Sequence, residues 1–264
     1  MAKVIGILSL KGGVGKTSVV VALGDAISGF SKKVLLVDGN LSAPNLGLHL
    51  NIIDPEVTLN HVLNGKAHLK DSIHKLENFD VIPSALFNKS RINPLKLRDK
   101  IKSLRRKYDF IIIDSPPSLG EEALGVMNAS DELFVVTTPD FPTLGATLKI
   151  VKLIKQRGIP LNGLILNKVH NKNFELSLKN IEDTSDIPVM AVIPHDLNML
   201  KALSKFKSPI EFKPNSEGSQ EFKRLAAALL KEKYKPAKLK NFFRWMAPKK
   251  QDINRTIFYE RAFK

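Results

Sequence analysis

Short runs of apolar residues alternate along this chain with longer stretches in which apolar positions recur every three to four residues. The short runs, typical of strands buried on both faces, lie at 4–8, 34–37, 80–82, 110–113, 133–137, 161–166 and 189–193. The helical stretches lie at 16–29, 94–107, 121–129, 142–157, 173–183, 196–204 and 216–233. This alternation predicts right-handed crossovers and a doubly wound, mostly parallel sheet of the α/β class. Because ligands bind at the carboxyl ends of strands in such folds, the residues that follow each strand are the candidates for chemistry.

A glycine-rich loop, SLKGGVGKT, joins the first predicted strand to the first predicted helix at residues 9–17. Its glycines allow backbone N–H groups to face a phosphate, and the start of the helix adds positive partial charge. Lys16 is placed to reach the outer phosphates of a nucleotide, and the Thr17 hydroxyl is placed to ligate Mg²⁺. The predicted nucleotide-binding residues of this P-loop are Gly12, Gly13, Val14, Gly15, Lys16, Thr17 and Ser18.

A second candidate lies at the end of another buried strand. Asp114 follows four apolar residues at 110–113, which is the Walker B arrangement. A carboxylate at a strand tip beside bound phosphates holds Mg²⁺, usually through water. An aspartate in this place also serves as a helix cap in other proteins, but the P-loop upstream favours the metal-binding interpretation.

The glycine loop departs from the standard Walker A pattern, because Leu10 stands where that pattern has glycine and Lys11 precedes the double glycine. This arrangement resembles the deviant Walker A motif of the MinD/ParA family of ATPases. Residues 38–48 and 114–120 also resemble sequence motifs of this family, and the resemblance covers about residues 2–230. It implies a P-loop ATPase that uses ATP and Mg²⁺ and forms a homodimer on ATP binding. In such a dimer Lys11 would reach the nucleotide of the partner.

The resemblance also assigns roles at three other strand ends. Asp38 matches the first acid of the family's switch I, near Mg²⁺, and Asn167 and the turn from Pro194 to Asp196 match the residues that hold adenine. The second acid of switch I is replaced by Asn40, whose amide positions water but cannot accept a proton. We therefore expect ATP hydrolysis that is slow without an activating protein. The predicted catalytic residues are Lys11, Lys16, Asp38 and Asn40, and the predicted metal ligands are Thr17, Asp38 and Asp114.

The composition excludes several classes of protein. The chain has no cysteine, which excludes disulfides and thiolate-bound metal or iron–sulfur clusters. His49, His61, His68 and His74 lie in one region, but their spacing does not favour a metal site. No apolar window reaches the ~18 residues that span a bilayer, and no signal peptide is recognisable. We therefore expect a cytoplasmic protein that is free or attached to the inner face of the cell membrane.

The formal net charge of +15 is concentrated in two segments. Residues 89–107 hold nine Lys or Arg against one acid, and residues 231–264 hold eleven against three. For the first segment three interpretations remain open: a solvated helix face, a nonspecific contact with the DNA backbone, or a contact with anionic lipid.

The second basic segment contains an amphipathic pattern. Leu239, Phe242, Phe243 and Met246 share one helical face, and Trp245 lies at its margin. A basic helix of this kind is typical of binding in the plane of an anionic membrane, and MinD-like proteins end in one. Packing of the stripe on the ATPase core and docking on a partner protein are the alternatives.

These patterns predict an ATPase domain at 1–235 and a basic amphipathic tail at 236–264. The predicted function is that of a MinD-like switch ATPase that dimerises with ATP and acts at the membrane in spatial organisation such as division-site placement. The main alternative is a ParA-like ATPase that binds DNA nonspecifically in chromosome or plasmid partition. A small-molecule ATP-dependent enzyme on the same fold and an adaptor without hydrolytic activity are further alternatives.

Overall fold

In the computed structural model, which describes residues 1–87, 92–234 and 249–261, eight strands form one sheet flanked by helices. The strands are β1 (Lys3–Leu8), β2 (Val34–Asp38), β3 (His74–Lys75), β4 (Asp80–Ile82), β5 (Phe110–Asp114), β6 (Glu132–Thr137), β7 (Leu161–Val169) and β8 (Val189–Pro194). Their spatial order is β3-β4-β2-β5-β1-β6-β7-β8. Every neighbouring pair is parallel except β3 with β4. The predicted doubly wound, mostly parallel sheet is confirmed.

Two hydrophobic cores lie on the two faces of this sheet. The α-helices of the described residues are α1 (Lys16–Ser28), α2 (Leu46–His49), α3 (Leu59–Leu63), α4 (Leu97–Lys102), α5 (Glu121–Ala129), α6 (Phe141–Gln156), α7 (Leu178–Ser185), α8 (Leu197–Leu203), α9 (Pro209–Phe212), α10 (Glu217–Leu230) and α11 (Lys250–Arg261). Helices α1 and α10 contribute to one core, and α4, α5, α6 and α7 to the other. Strand β1 supplies both, because Val4 and Leu8 join one core and Ile5 and Ile7 the other. This two-sided burial explains its continuous apolar sequence.

The sequence pattern extended two helices, at 94–107 and 173–183, over residues that are not helical, since α7 begins only at Leu178, and it missed several other elements. The helix predicted at 94–107 is a 3₁₀ turn, Pro94–Lys96, followed by α4, which ends at Lys102. Beyond it the backbone makes i→i+3 turns, and the Arg105 carbonyl accepts a hydrogen bond from the Ala2 N–H at 2.7 Å. This tertiary bond ties the end of the segment to the start of β1. Strand β3 and helices α9 and α11 have no counterpart among the predicted elements.

Helix α11 covers the outer edge of β8. Because β8 ends the sheet, its outward backbone groups have no strand partner. Arg255 donates to the Met190 carbonyl at 2.7 Å, and Asn254 Nδ2 donates to the Val189 carbonyl at 2.9 Å. Arg255 also pairs at 3.0 Å with Glu221 of α10. Residues 250–261 therefore return to the domain, and their side chains satisfy an edge that would otherwise be open.

The predicted membrane segment, with Leu239, Phe242, Phe243, Trp245 and Met246, lies outside the described residues. Both of its flanks are held by the domain. Tyr234 packs edge-to-face on Phe30, with ring centroids 6.4 Å apart, and its hydroxyl donates to Gln220 at 2.9 Å. Lys249 lies 3.5 Å from Glu217. Within the described ranges, none of the helices has the length and apolar character needed to cross a membrane.

Replacing Arg255 by methionine should lower the free energy of unfolding by about 3 kcal/mol, because the buried Glu221 loses one of its two ion-pair partners. The Arg255 and Glu221 side chains are 5% and 2% exposed, and Arg224 would remain as the other ion-pair partner of Glu221. Guanidinium chloride unfolding measures the change. Arg106→Met, at an exposed position, is the matched control and should change stability little. Equal losses in the two variants would contradict the importance of the buried pair.

Candidate nucleotide-binding site

The glycine loop and the carboxyl ends of β7 and β8 enclose a cavity of about 440 Å³. Gly13 and Gly15 have φ angles of +77° and +86°, a left-handed conformation in which a side chain is strained. This conformation turns the loop immediately before α1, so that the positive end of the helix borders the cavity. The lining includes the seven loop residues predicted from the sequence, Gly12, Gly13, Val14, Gly15, Lys16, Thr17 and Ser18.

Lys16 is bound to Asp114 inside the protein. Its ammonium donates to Asp114 Oδ1 at 2.8 Å and to the Ser115 carbonyl. The Thr17 hydroxyl donates to Asp114 Oδ2 at 2.6 Å. The Lys16 and Asp114 side chains are 8% and 1% exposed, and charges buried to this extent require a partner. The structure therefore brings the predicted phosphate-binding lysine together with two of the predicted metal ligands.

Asp38 lies beside Asp114 because β2 and β5 are neighbouring parallel strands in which these two residues pair. Asp38 Oδ2 accepts hydrogen bonds from the N–H groups of Asn45 at 3.1 Å and Leu46 at 3.0 Å, which fixes the loop before α2. Burial and the Asp114 carboxylate raise the pKa of Asp38 to about 8. A divalent cation would offset this repulsion, and carboxylate and hydroxyl oxygens are the ligands that Mg²⁺ prefers. Thr17, Asp38 and Asp114 therefore fit Mg²⁺.

Asn40 uses its side-chain amide within its own turn. Its Nδ2 donates to the Ala43 carbonyl, and its Oδ1 accepts from the Ala43 N–H at 3.3 Å. Asn45 Nδ2 donates to the same carbonyl at 2.9 Å. Asn40 is buried and borders the nucleotide cavity. An aspartate at position 40 could accept the hydrogen bond from the Ala43 N–H but could not donate one to the Ala43 carbonyl, because its side chain has no N–H group.

Lys11 lies on the open side of the glycine loop and is 45% exposed. Its ammonium donates to Thr143 Oγ1 at 2.9 Å and to Asp140 Oδ1 at 3.2 Å. Burial raises the pKa of Asp140, but hydrogen bonds from Thr138, Thr143 and Lys11 outweigh it and lower this pKa to about 2. Sequence reasoning missed Asp140 and Thr143. A signal was present, because Asp140 follows β6 and has the position and residue type of an N-cap for α6.

Two residues at the end of β7 bind the glycine loop directly. Asn167 Nδ2 donates to the Val14 carbonyl at 2.7 Å, and Lys168 Nζ donates to the Gly13 carbonyl at 2.7 Å. Asn167, Pro194 and Asp196 all line the cavity, and Asp196 also caps α8. Sequence reasoning missed Lys168, since a lysine after a strand carries no distinctive signal.

Histidines border the site at two places. His195, in the turn after β8, stacks on His170 with ring centroids 4.4 Å apart. His49 Nε2 lies 3.4 Å from Ser18 Oγ, and burial lowers the pKa of His49. In the part of the chain that the structure describes, no cluster of three or more His, Asp or Glu residues is arranged to hold a metal ion. His49 and His195 line the nucleotide cavity.

Comparisons with known proteins match this site and fold. A family model described as an AAA domain matches residues 2–165. An uncharacterized ATP-binding protein of Methanocaldococcus jannaschii is 37% identical over 238 residues, which are 89% of this chain and 90% of that protein. The cell division ATPase MinD of Pyrococcus furiosus is 36% identical, with a TM-score of 0.83 over 88% of this chain and 99% of that one. The septum site-determining protein MinD of Pyrococcus horikoshii, complexed with Mg-ADP, is 36% identical, with a TM-score of 0.82 over 87% and 96%.

A second family model, described as 4Fe-4S iron sulfur cluster binding proteins of the NifH/frxC family, matches residues 91–242. The chain has no cysteine and so offers no thiolate ligand to such a cluster. The match therefore does not extend to cluster binding.

Replacing Gly15 by alanine should raise the dissociation constant for Mg-ADP at least about tenfold, which corresponds to ~1.4 kcal/mol. The new Cβ would lie 2.5 Å from Asn167 Nδ2, and the φ of +86° is strained for alanine. Gly145→Ala is the control, because a Cβ there meets no atom within 4 Å and Gly145 does not line the nucleotide cavity. Calorimetric titration of both variants measures the difference. Equal affinities in the two variants would contradict this account of the loop.

Proposed function

We propose that this chain, which belongs to the MinD/ParA family of P-loop ATPases, is an ATP-dependent dimerising switch that binds anionic membrane from the cytosolic side. Its cofactors are ATP and Mg²⁺. Its cellular role in this proposal is MinD-like spatial organisation, such as placement of the division site. The observation that carries the proposal is the buried cluster of Lys16, Thr17 and Asp114 below a loop whose other lysine, Lys11, is exposed.

Nucleotide binding requires the buried cluster to exchange partners. Lys16 pairs with Asp114 in this structure and would bind the outer phosphates instead, which leaves Asp114 and Thr17 to hold Mg²⁺. The Mg²⁺ ion would neutralise negative charge on the phosphate oxygens. Asp38 accepts hydrogen bonds from the N–H groups of Asn45 and Leu46, so it links the metal site to the loop before α2. The nucleotide state is thereby coupled to the conformation of this loop.

Lys11 supplies the link between the nucleotide and the dimer. In one protomer it binds Asp140 and Thr143, and both Lys11 and Asp140 are more than 40% exposed. An ion pair at this exposure contributes ~1 kcal/mol or less, so Lys11 is released from it at little cost. By the resemblance to the family, the released Lys11 side chain would contact the nucleotide of the partner protomer.

The amphipathic segment supplies the link to the membrane. Its predicted membrane-binding residues, from Leu239 to Met246, lie in the chain between Tyr234 and Lys249, which both contact the domain. A single short amphipathic helix binds a membrane weakly, and two copies on one dimer bind with avidity. ATP-driven dimerisation would therefore drive membrane binding, and hydrolysis or nucleotide release would reverse it.

Replacing Asn40 by aspartate should raise the ATP turnover number by about tenfold or more, because a carboxylate can both orient water and accept its proton. Asn40 borders the cavity and lies in the turn that it closes with Ala43. Phosphate release under saturating ATP measures the effect.

The control for this change is Asn45→Asp. Asn45 also donates to the Ala43 carbonyl and also lines the cavity, so the variant removes a similar hydrogen bond and adds the same charge nearby. It should not raise turnover. Unaltered turnover in Asn40→Asp, or an equal rise in both variants, would show that position 40 does not limit the rate.

Sedimentation with anionic liposomes tests the membrane switch. The full chain should pellet with ATP and stay in solution with ADP. The double variant Phe242→Glu, Phe243→Glu should lose pelleting at least about tenfold, because burial of each phenylalanine contributes ~1.5–3 kcal/mol. Lys11→Gln should pellet no better with ATP than with ADP, since it cannot form the active dimer.

The matched control is Ile253→Glu, Ile257→Glu, which adds the same charges on the exposed face of α11. It should pellet like the natural chain. Pelleting that is independent of nucleotide, or lost equally in both double variants, would contradict a membrane switch that acts through residues 239–246.

A ParA-like role is the second candidate, and the exposed basic side chains of the α4 region favour it. Lys96, Arg98, Lys102 and Arg106 are all exposed around the short helix. If the full chain ignores liposomes with both nucleotides, ATP-dependent DNA binding that weakens steeply with salt would support this role instead.

A further inference from the structure

Residues 201–213, the α8–α9 surface, expose basic and aromatic side chains together. They include four lysines and one acid, Glu211, which pairs with Lys207. The other lysines, Lys201, Lys205 and Lys213, are exposed and form no ion pair with a carboxylate of the described residues. Unpaired positive charge on a surface attracts an anionic partner.

Phe206, in the middle of this surface, has an unfavourable backbone conformation. Its φ angle is +56°, in the left-handed region that is costly for a bulky residue. Glycine would avoid this strain, and strain of this kind is concentrated at functional sites. The side chain is 48% exposed, so burial offsets little of the cost. The exposed ring is therefore a candidate contact for a partner of the protein.

The α8–α9 surface lies beside both flanks of the predicted membrane segment. The Tyr234 hydroxyl donates to Gln220 Oε1 at 2.9 Å, and Gln220 Nε2 donates to the Pro214 carbonyl at 3.1 Å. Pro214 directly follows the α8–α9 surface in the chain. On the other flank, Lys249 lies 3.5 Å from Glu217, which is one turn before Gln220 on α10. Both flanks therefore meet the domain at the start of α10.

The length of chain on each side of the segment limits how far from α10 a membrane can bind. Leu239 follows Tyr234 by five residues, and Met246 precedes Lys249 by three. An extended chain spans at most ~3.6 Å per residue, so these connections reach roughly 18 Å and 11 Å. A membrane bound through residues 239–246 would therefore lie close to the start of α10 and to the α8–α9 surface.

We propose that the α8–α9 surface is a second membrane contact, with Lys205 and Lys213 against anionic lipid headgroups and the Phe206 ring in the interface. An anionic bilayer attracts lysines near its surface, and aromatic rings are favoured at the headgroup level. The inference rests on the membrane binding proposed above and adds a site to it. Because this surface belongs to the folded domain, the contact would also set the orientation of the ATPase on the bilayer.

A fluorescent label at position 206 tests the proposal. The chain has no cysteine, so Phe206→Cys carries its only thiol and takes an environment-sensitive nitrobenzoxadiazole dye there. Addition of phosphatidylglycerol liposomes in the presence of ATP should raise the dye emission severalfold, because the dye leaves water for the bilayer interface. Lys152→Cys is the control and should respond little, since Lys152 is exposed on α6, which packs on the opposite face of the sheet from α10.

Charge removal tests the lysines separately. The double variant Lys205→Gln, Lys213→Gln should weaken ATP-dependent binding to these liposomes at least about tenfold, since a lysine near an anionic surface contributes about fivefold. The matched control Lys149→Gln, Lys152→Gln removes the same charge from exposed positions of α6 and should leave liposome binding unchanged. All variants should keep the Mg-ADP affinity of the natural chain, because none of these residues lines the nucleotide cavity.

The outcomes separate this inference from the proposed function. If the natural chain does not pellet with the liposomes, the membrane function and the second contact both fail. If it pellets, but the dye at position 206 responds no more than the dye at position 152, the second contact alone is overturned. Equal liposome binding by the two lysine double variants would likewise overturn it and leave membrane binding through residues 239–246 intact.

Discussion

The buried ion pair between Lys16 and Asp114 constrains the rest of the nucleotide site. Neither group can stay charged in the interior without the other, so Lys16, predicted to bind phosphate, and Asp114, predicted to bind metal, pair with each other at 2.8 Å. Asp38 adds a second carboxylate next to them, and burial together with repulsion from Asp114 raises its pKa. A nucleotide with its metal offers both groups better partners of opposite charge. Nucleotide binding would therefore replace the ion pair between Lys16 and Asp114 by contacts of each group with the nucleotide and its metal.

The parallel sheet makes this cluster possible. Asp38 and Asp114 are far apart in the chain, but they end adjacent strands and pair in register, so both carboxylates reach the same edge. The glycine loop follows β1, which is the neighbour of β5 on the side opposite β2, so the loop reaches the same edge of the sheet.

The last helix changes the domain organisation that charge and composition suggest. The charge pattern predicts that all the basic residues after position 231 belong to one tail. In the structure, however, α11 packs on β8 through Arg255 and Asn254. An edge strand needs partners for its outward backbone groups, and Asn254 and Arg255 supply them for the Val189 and Met190 carbonyls. Residues 250–261 are consequently part of the edge of the ATPase domain, which the charge pattern does not reveal.

The sequence by itself determined seven of the eight strands, the P-loop and the carboxylates at the strand ends, because each depends on a pattern within a few neighbouring residues. Only the tertiary structure decided which groups these residues contact. Lys11 meets Asp140 across 129 positions, and Asn167 meets Val14 across 153. It also decided that the predicted helix at 94–107 stops at Lys102, where the contact of Arg105 with Ala2 outweighs local helix propensity. Such contacts depend on where the sheet places distant segments, and no local pattern encodes that.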